Sequence, residues 1–412
     1  MWRLAWRNLW RNRTRSFITG SAIALTFALM LMTFGIQESE YLKMEQAAVR
    51  TAGGSILVHA EGYWEDPSTE RVMEASSVDL EKMAEVEGVV AVLPRVIIQG
   101  LVSSPRGNAG VQLKGIAPEG EAQIRDLSKH VRGSFLKGKT SRGRPPIVLG
   151  AGVAKKLKLD LGDKVVLTCT DTRGEMQRAL FQLQGILETG SAMVDDIAAY
   201  TTIAHAQEAL GAGEILTQVG VLVESDSERY GIKAGLQGVL PTSGLEVLTW
   251  DEAIPEMTSF IEIDRRMGTI IMYVLVVIVT FGIMNTFMMV ILERIRELGL
   301  LAAIGMAPRQ VAALMVAETF WLAVVSMSVG AVLGYLAHLY FAAVGLDLSS
   351  TMGESMELNS VLMDDMVMRS HLDWGRWLGG TVGVLLLVMA SGLYPAWRAS
   401  RLMPTEAMRT YE

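Results

Sequence analysis

Four long apolar stretches divide the chain and predict membrane-spanning helices. They cover residues 18–36, 269–292, 319–344 and 377–397. Each is close to the length of about 20 residues that an α-helix needs to cross the hydrocarbon core. Residues 37–266, between the first and second stretch, contain no apolar run of that length. The pattern therefore predicts four transmembrane helices and one large water-soluble insertion.

The insertion, residues 37–266, combines the hydrophobic periods of helices and strands. Helical spacing predicts short helices over residues 38–49 and 78–86. Alternating or apolar runs between turn residues predict strands over residues 55–60, 89–102, 110–116, 181–186 and 218–223. We interpret the insertion as an α+β domain with two subdomains, the second of which begins at Pro145.

Residues 1–17 predict an amphipathic helix that lies in the membrane interface. On a helical wheel, one arc carries Trp2, Ala5, Trp6, Leu9 and Trp10, and the next arc carries Arg3, Arg7 and Arg11. Tryptophan favours the headgroup region, and arginine is attracted to anionic lipid. Membrane lipid is therefore one predicted partner of the chain.

Arginines set the predicted orientation of the spans. They are concentrated in residues 1–17, 293–313 and 398–412, which all flank spans on one side. The positive-inside rule makes this side cytoplasmic, together with both termini. The insertion and the loop over residues 345–375 are then extracytoplasmic. Cys169, the single cysteine, excludes an internal disulfide and would report the outer side if its thiol were exposed.

Composition supports a division into membrane and water-soluble parts. Of the 412 residues, 50% are hydrophobic, which is high for a soluble enzyme, and 20% are charged, which is high for a bundle buried in lipid. The formal net charge is -7. Because the arginines are concentrated at membrane flanks, we predict no nucleic-acid partner.

The segment over residues 293–313 joins the second span to the third and carries an unusual pattern. It begins ERIRELGLLAAIG, with Glu293, Arg294, Arg296 and Glu297 directly after the apolar run, followed by Leu298, Gly299 and Gly305. Apolar residues between the glycines fall near helical spacing. The pattern predicts a short amphipathic helix under the membrane. It is either a plain hairpin with a charged collar or a docking element for a partner.

Small residues recur at four-residue spacing on the last two spans. They are Ser326, Gly330 and Gly334 on the third span, and Gly379 and Gly383 on the fourth. Such residues let membrane helices approach closely. The helices in contact could belong to one subunit or could form a seam between subunits.

No catalytic or metal site is predicted. Residues 133–140, GSFLKGKT, match the phosphate-binding pattern G-x-x-x-x-G-K-[ST], but the required strand before and helix after are missing, so we predict a surface loop. The polar residues Asn285, Glu318 and His338 lie in or near spans. Glu318 and His338 lie near helix ends, where they can reach the interface, so a proton relay is disfavoured. A soft-metal site is conceivable but disfavoured for Met352, Met356, Met363, Met366, Met368 and His371.

Two motifs carry a resemblance to a known family. ERIRELGLLAAIG and the C-terminal YPAWRASRLMPTEAMR (residues 394–409) resemble the FtsX/MacB/LolC–LolE superfamily of ABC transporter permeases, as do the phrases IVLG, LGDKV and GILETG of the insertion. The resemblance implies a multi-pass protein of the bacterial inner membrane. It also implies that Glu293, Arg294, Arg296, Glu297, Leu298, Gly299 and Gly305 couple the permease to an ABC ATPase.

The resemblance further implies that this chain is not an enzyme and holds no cofactor. ATP and magnesium would bind an ATPase dimer, expected in trans because the first span begins at residue 18 and little chain follows Arg398. A second permease copy or a related permease would complete the complex. The favoured hypothesis is release of lipoproteins to a periplasmic carrier. The alternatives are MacB-like efflux with a periplasmic adaptor, and FtsX-like regulation of a cell-wall hydrolase or sensor kinase.

Overall fold

The structure is a computed structural model. It describes the chain except for residues 12, 125, 137–142, 242, 294–296, 298, 299, 302, 348–355, 359, 360, 364–366 and 402–412. It also does not describe the side chains of residues 15, 286, 287, 290–293, 356–358 and 361–363. The chain forms two compact units. The membrane unit comprises Met1–Leu42, Ile261–Leu348 and Val367–Glu412, and the strand unit comprises Lys43–Phe260 and Ser349–Met366.

The described helices and strands have the following bounds. The helices are α1 (Trp2–Arg11), α2 (Arg13–Ala52), α3 (Leu80–Ala84), α4 (Pro118–Ile124), α5 (Ala151–Leu157), α6 (Ala192–Asp195), α7 (Ile203–Ala209), α8 (Arg229–Val239), α9 (Trp250–Ala253), α10 (Pro255–Glu293), α11 (Pro308–Ala343) and α12 (Trp374–Ser400). The strands are β1 (Ile56–Ala60), β2 (Met73–Glu74), β3 (Val89–Ser104), β4 (Gly107–Ile116), β5 (Val131–Gly133), β6 (Pro146–Gly150), β7 (Lys164–Thr170), β8 (Met176–Leu187), β9 (Ala198–Thr202), β10 (Ile215–Leu216), β11 (Gln218–Val223), β12 (Leu245–Thr249), β13 (Leu346–Asp347), β14 (Met356–Leu358), β15 (Val361–Met363) and β16 (Val367–Met368).

Four helices in the described part of the chain are long and apolar enough to cross a membrane: α2, α10, α11 and α12. The helix expected over residues 38–49 is the continuation of α2. Helix α11 begins at Pro308, well before the apolar run at residue 319, because proline is favoured in the first helical turn. The side chain of Gln310 accepts a hydrogen bond from the N–H of Ala307 at 2.9 Å and caps this helix.

The core of the membrane unit contains residues from all four of these helices. Its buried members are Ile23, Phe27, Met30, Leu31, Phe34, Val276, Ile283, Leu322, Ala323, Met327, Trp377, Val384 and Val388. Most other apolar residues of the spans stay exposed, as expected for helices that face lipid.

The main sheet of the strand unit has ten strands within the described ranges. Their order is β12–β1–β11–β3–β4–β9–β6–β8–β5, and β7 pairs with β3 and β8. The pairs β4–β9 and β6–β8 are parallel. Because β4 precedes Pro145 and β9 follows it, the sheet continues across Pro145. The division of the insertion into two subdomains stays a prediction. Prolines mark a local turn, whereas strand pairing joins residues far apart in the chain.

The single cysteine lies in the main hydrophobic core of the strand unit. Cys169 on β7 is only 4% exposed, and burial, with a smaller contribution from Asp171, raises the pKa of its thiol. A thiol reagent will therefore not reach Cys169 while the unit is folded. Cys169 cannot serve as the exposed topology probe that the sequence suggested.

Candidate functional site

Part of the segment between α10 and α11 lies within the described residues. Helix α10 ends at Glu293, and Glu297, Leu300 and Leu301 lie in helical conformation. Outside the described residues are Arg294, Arg296, Leu298, Gly299 and the side chain of Glu293. Their coupling role stays a prediction.

Gly305 ends the helical turn of this segment. The N–H of Ile304 donates to the carbonyl of Leu300 at 3.0 Å, and the N–H of Met306 donates to the carbonyl of Leu301 at 3.1 Å. This second bond is typical of a helix end with glycine in left-handed conformation, and Gly305 has a φ of +105°. A Cβ at Gly305 would meet no described atom within 4 Å. Glycine is therefore favoured by backbone conformation and not by crowding.

Glu297 connects this segment to α1. Its carboxylate forms an ion pair with the guanidinium of Arg11, and the two side chains are 50% and 56% exposed. An exposed pair adds at most about 1 kcal/mol to stability. The pair contributes little to stability but places the segment beside helix α1.

Helix α1 packs on α11 through its apolar arc. Ala5 is fully buried beside Leu314 and Ala317, and Leu301 packs against the same cluster. The rings of Trp6 and Trp321 meet edge to face, with centroids 5.0 Å apart. The described end of the 293–313 segment is thus held by both α1 and α11.

The small residues of the third span lie against α2 of the same chain. A Cβ on Gly330 would lie 2.6 Å from the carbonyl oxygen of Ala24, and one on Gly334 would lie 3.1 Å from the Cβ of Leu31. The Ser326 hydroxyl occupies the space that a Cβ on Gly20 would need, at 2.9 Å. These positions require small side chains for contact within one chain.

The small residues of the fourth span differ from each other. A Cβ on Gly383 would lie 3.3 Å from the ring of Tyr273 on α10. One on Gly379 would meet nothing within 4 Å in the described part of the chain. A role for Gly379 at a seam between subunits stays a prediction.

A polar cluster joins α2, α10 and α12 in the membrane unit. Arg376 donates to Glu38 at 2.9 Å, and these side chains are 17% and 13% exposed. Arg265 lies 3.5 Å from the other carboxylate oxygen of Glu38. Both guanidinium groups lie over the ring of Tyr41, at 4.8 Å for Arg265 and 5.6 Å for Arg376. Charge pairs and cation–π contacts therefore fix three helices to one another.

A second polar cluster fixes the last turn of α2 inside the strand unit. The side chain of Arg95 on β3 is 3% exposed and donates to both carboxylate oxygens of Glu121, each at 3.0 Å. Arg95 also donates to the carbonyl of Gly53, and Gln218 donates to the carbonyl of Ala52 at 2.9 Å. The carbonyls that end α2 are therefore bonded to two strands of the sheet. A cavity of about 600 Å³ opens beside this joint, with Tyr63 and Trp64 in its wall.

Neither cluster was identified from the sequence. Arg95 interrupts the apolar strand VVAVLPRVII, and a charge inside such a strand was an available signal. Arg265 and Arg376 precede apolar runs, where the sequence suggests only a membrane flank. Their common partner Glu38 could be found only from the tertiary structure.

Other polar residues noted in the sequence have local partners. Asn8 donates to Glu318 at 2.6 Å, and His338 lies 2.8 Å from the hydroxyl of Ser370. Asn285 is exposed on α10. The loop over residues 133–140 is described only to residue 136, so Lys139 lies outside the described residues. So do the side chains of Met352, Met356, Met363 and Met366.

Comparison with known proteins gives matches along most of the chain. Residues 16–236 match the MacB-like periplasmic core domain, and residues 269–404 match the FtsX-like permease C-terminal domain. The lipoprotein-releasing system transmembrane protein LolC of Neisseria meningitidis is 23% identical over 329 residues, which cover 78% of this chain and 79% of LolC.

Of two further relatives, one is named for the same lipoprotein-releasing system as LolC and the other for macrolide export. The lipoprotein-releasing system transmembrane protein LolE of Haemophilus influenzae is 20% identical over 81% of this chain and 79% of LolE. The macrolide export ATP-binding/permease protein MacB of Nitrobacter winogradskyi is 23% identical over 98% of this chain and 59% of MacB.

Proposed function

Because this chain belongs to the FtsX/MacB/LolC–LolE superfamily of ABC transporter permeases, we propose that it transmits ATP-driven movement to its strand unit and thereby releases lipoproteins from the inner membrane. Both termini and the 293–313 segment lie in the cytoplasm, and the strand unit lies in the periplasm. An ABC ATPase dimer binds the 293–313 segment, and a second permease or a related one completes the complex.

The joint at the end of α2 is the observation that carries this proposal. Two consecutive glycines, Gly53 and Gly54, follow the helix and would form a flexible hinge by themselves. Hydrogen bonds from Arg95 and Gln218 to the last carbonyls of the helix close that hinge. Charge-assisted bonds of the kind that Arg95 makes contribute about 1.5–3 kcal/mol each. Movement of α2 is then passed to β3 and β11 instead of being absorbed by the glycines.

The proposed movement begins at the 293–313 segment, where the ATPase would bind. Glu297, Leu301 and Met306 tie the segment to α1 and to the first turns of α11. A push on the segment is therefore shared with neighbouring helices. Lipoprotein is favoured as cargo because relatives named for lipoprotein release align over most of the chain and most of their own length.

A release assay with an uncoupling variant tests the proposal. The permease and its ATPase are reconstituted in vesicles with a fluorescent triacylated lipoprotein, and ATP-dependent transfer to a soluble carrier protein is measured with ATP hydrolysis. Arg95→Met should keep hydrolysis and lose most of the transfer, because the hinge at Gly53 is freed. Arg178→Met, at an exposed arginine of the same unit, is the matched control.

Equal transfer by wild type and Arg95→Met would contradict the joint's role. Absence of ATP-dependent transfer by the wild type would contradict lipoprotein release itself. In that case macrolide export with a periplasmic adaptor becomes the second candidate, favoured by the MacB alignment over 98% of this chain. It would be measured as ATP-dependent macrolide efflux from cells that contain the complete complex.

A further inference from the structure

An apolar groove runs along the membrane unit between α2 and α11, and α1 closes one end. Its volume is about 950 Å³, within the range of sites for small organic ligands. The floor of the groove is formed by the small residues Gly20, Ala24 and Ser326. Its walls are larger apolar side chains of both helices, namely Phe17, Ile18 and Leu25 of α2 and Leu322, Val325, Val329 and Leu333 of α11.

The charge at one end of the groove identifies its occupant. Arg13 is the only ionisable side chain among the described lining residues, and it lies in the first turn of α2, beside Leu9 and Trp10 of α1. Arg3 and Arg7 of α1 are exposed and add positive charge to the same helix. An apolar channel with a cationic mouth matches an acyl chain below a negative headgroup.

The length of the groove fits one lipid leaflet. The lining residues of α2 extend from Arg13 to Leu25, which corresponds to about 18 Å of helix at 1.5 Å per residue. Half of the hydrocarbon core is about 15 Å thick. A helix from a second permease would need a groove along the full core of about 30 Å.

We propose that this groove binds one membrane phospholipid with a net negative headgroup, with its phosphate at Arg13 and an acyl chain between α2 and α11. Helix α1 closes the groove through Leu9 and Trp10 and pairs with Glu297 through Arg11. A bound lipid therefore stabilises the helix that holds the 293–313 segment.

Spin-labelled lipids test the proposal on the full-length permease. The protein is reconstituted in phosphatidylcholine vesicles with a trace of phosphatidylglycerol or phosphatidylcholine, each labelled on an acyl chain. Electron paramagnetic resonance then gives the relative association of the two lipids with the protein. The wild type should prefer phosphatidylglycerol by about fivefold, as one arginine at a membrane surface provides.

Two pairs of variants, each a test with its matched control, separate the effect of the charge at Arg13 from the effect of the groove's shape. Arg13→Gln should abolish the preference, whereas Arg309→Gln, at an exposed arginine outside the groove, should keep it. Ala22→Trp fills the groove and should reduce the immobilised phosphatidylglycerol, whereas Leu29→Trp, at an exposed position outside the groove, should not.

Three results would overturn the proposal. The first is equal association of both lipids with the wild type. The second is an equal loss of preference in Arg13→Gln and Arg309→Gln, which would indicate diffuse surface charge. The third is a disulfide between two copies of Ala22→Cys in native membranes, which would place a second permease in the groove. The buried Cys169 does not interfere with that measurement.

Discussion

At the scale of single residues, a few charged side chains hold distant helices and strands together. Glu38 forms ion pairs with Arg376 and Arg265, which lie on two other helices. Arg95 forms an ion pair with Glu121 and donates a hydrogen bond to the carbonyl of Gly53, directly after α2. Each carries a charge in a largely buried position, where loss of a partner leaves an uncompensated ion. These residues therefore give the sharpest tests by substitution.

Replacing Arg376 should destabilise the membrane unit. Among the described residues, Arg376→Met leaves Glu38 with the more exposed Arg265 as its ion-pair partner. We expect a loss of about 2–3 kcal/mol in the free energy of unfolding, measured as thermal unfolding at a lower temperature by intrinsic tryptophan fluorescence. The double variant Arg376→Met with Glu38→Met should recover part of the loss. Arg266→Met removes a pair that is exposed on both sides and should change little. Similar effects of Arg376→Met and Arg266→Met would contradict the importance of the cluster.

His59 should make the strand unit sensitive to mild acid. Burial lowers the pKa of His59, although the carbonyl of Ala60 and the carboxylate of Glu246 act in the opposite direction. The neutral ring therefore stabilises the fold fully above the unfolded pKa of about 6.5, and this stabilisation is lost as the pH falls through the lower folded pKa. A thiol-reactive dye reports unfolding through the buried Cys169. Between about pH 7.5 and 5.5, on either side of that unfolded pKa, the wild type should lose more thermal stability than His59→Phe, and equal losses would exclude His59 as the cause.

At the scale of elements, two helix ends turn at a glycine. Gly53 directly follows the end of α2, and the 293–313 segment turns at Gly305; both glycines have positive φ. The two turns differ in their surroundings. A Cβ at Gly53 would overlap the Arg95 guanidinium, whereas one at Gly305 would meet no described atom within 4 Å.

Substitution at Gly305 should act through the backbone. Gly305→Ala and Gly305→Val both place a Cβ where φ is positive, at a cost of about 1–2 kcal/mol, and neither introduces a clash with described atoms. We expect both variants to insert and fold, and to lose ATPase co-purification or coupling between hydrolysis and transport. Gly238→Ala, at a helical glycine of α8 with no described atom within 4 Å of an added Cβ, is the control. Normal binding and transport in Gly305→Val would return the segment to a plain hairpin.

Substitution of glycines on the last two spans should distinguish helix packing within one chain from helix packing between two chains. Gly330→Val forces a side chain against the carbonyl of Ala24 and should destabilise the membrane unit by about 1–3 kcal/mol. Gly379→Val should leave the unit folded. If Gly379 forms a seam, this variant weakens association of two permeases in a pull-down with differently tagged copies. Unchanged association would remove Gly379 from the seam.

At the scale of the whole molecule, the chain forms a membrane unit and a strand unit. Each unit has its own core and its own polar cluster. The proposed transport cycle requires that these units lie on defined sides of the membrane. Topology is therefore the first property to measure.

Labelling of engineered cysteines tests the orientation. Lys156 is exposed on the strand unit, and Gln310 is exposed near the start of α11. A membrane-impermeant maleimide, applied to cells with a permeabilised outer membrane, should label Lys156→Cys and spare Gln310→Cys. Disruption of the inner membrane should make Gln310→Cys reactive. Labelling of Gln310→Cys in intact cells would reverse the proposed topology.

Features that depend on residues close together in the chain could be predicted from the sequence alone. The spans follow from apolar runs and the strands from alternation. Family membership could also be recognised from two short motifs, because those motifs are contiguous in the chain. The packing glycines could be found from their spacing, but their partners could not.

Contacts between residues far apart in the chain could be seen in the folded structure but not predicted from the sequence. Glu38 and Arg376 are separated by most of the chain, and β4 pairs with β9 across the prolines that suggested a boundary. Cys169 is placed in the core by strand pairing, whereas its own neighbours in the sequence do not fix its exposure. Hydrophobic periodicity assigns a residue to a face of its own element, but the partner that covers this face comes from another part of the chain.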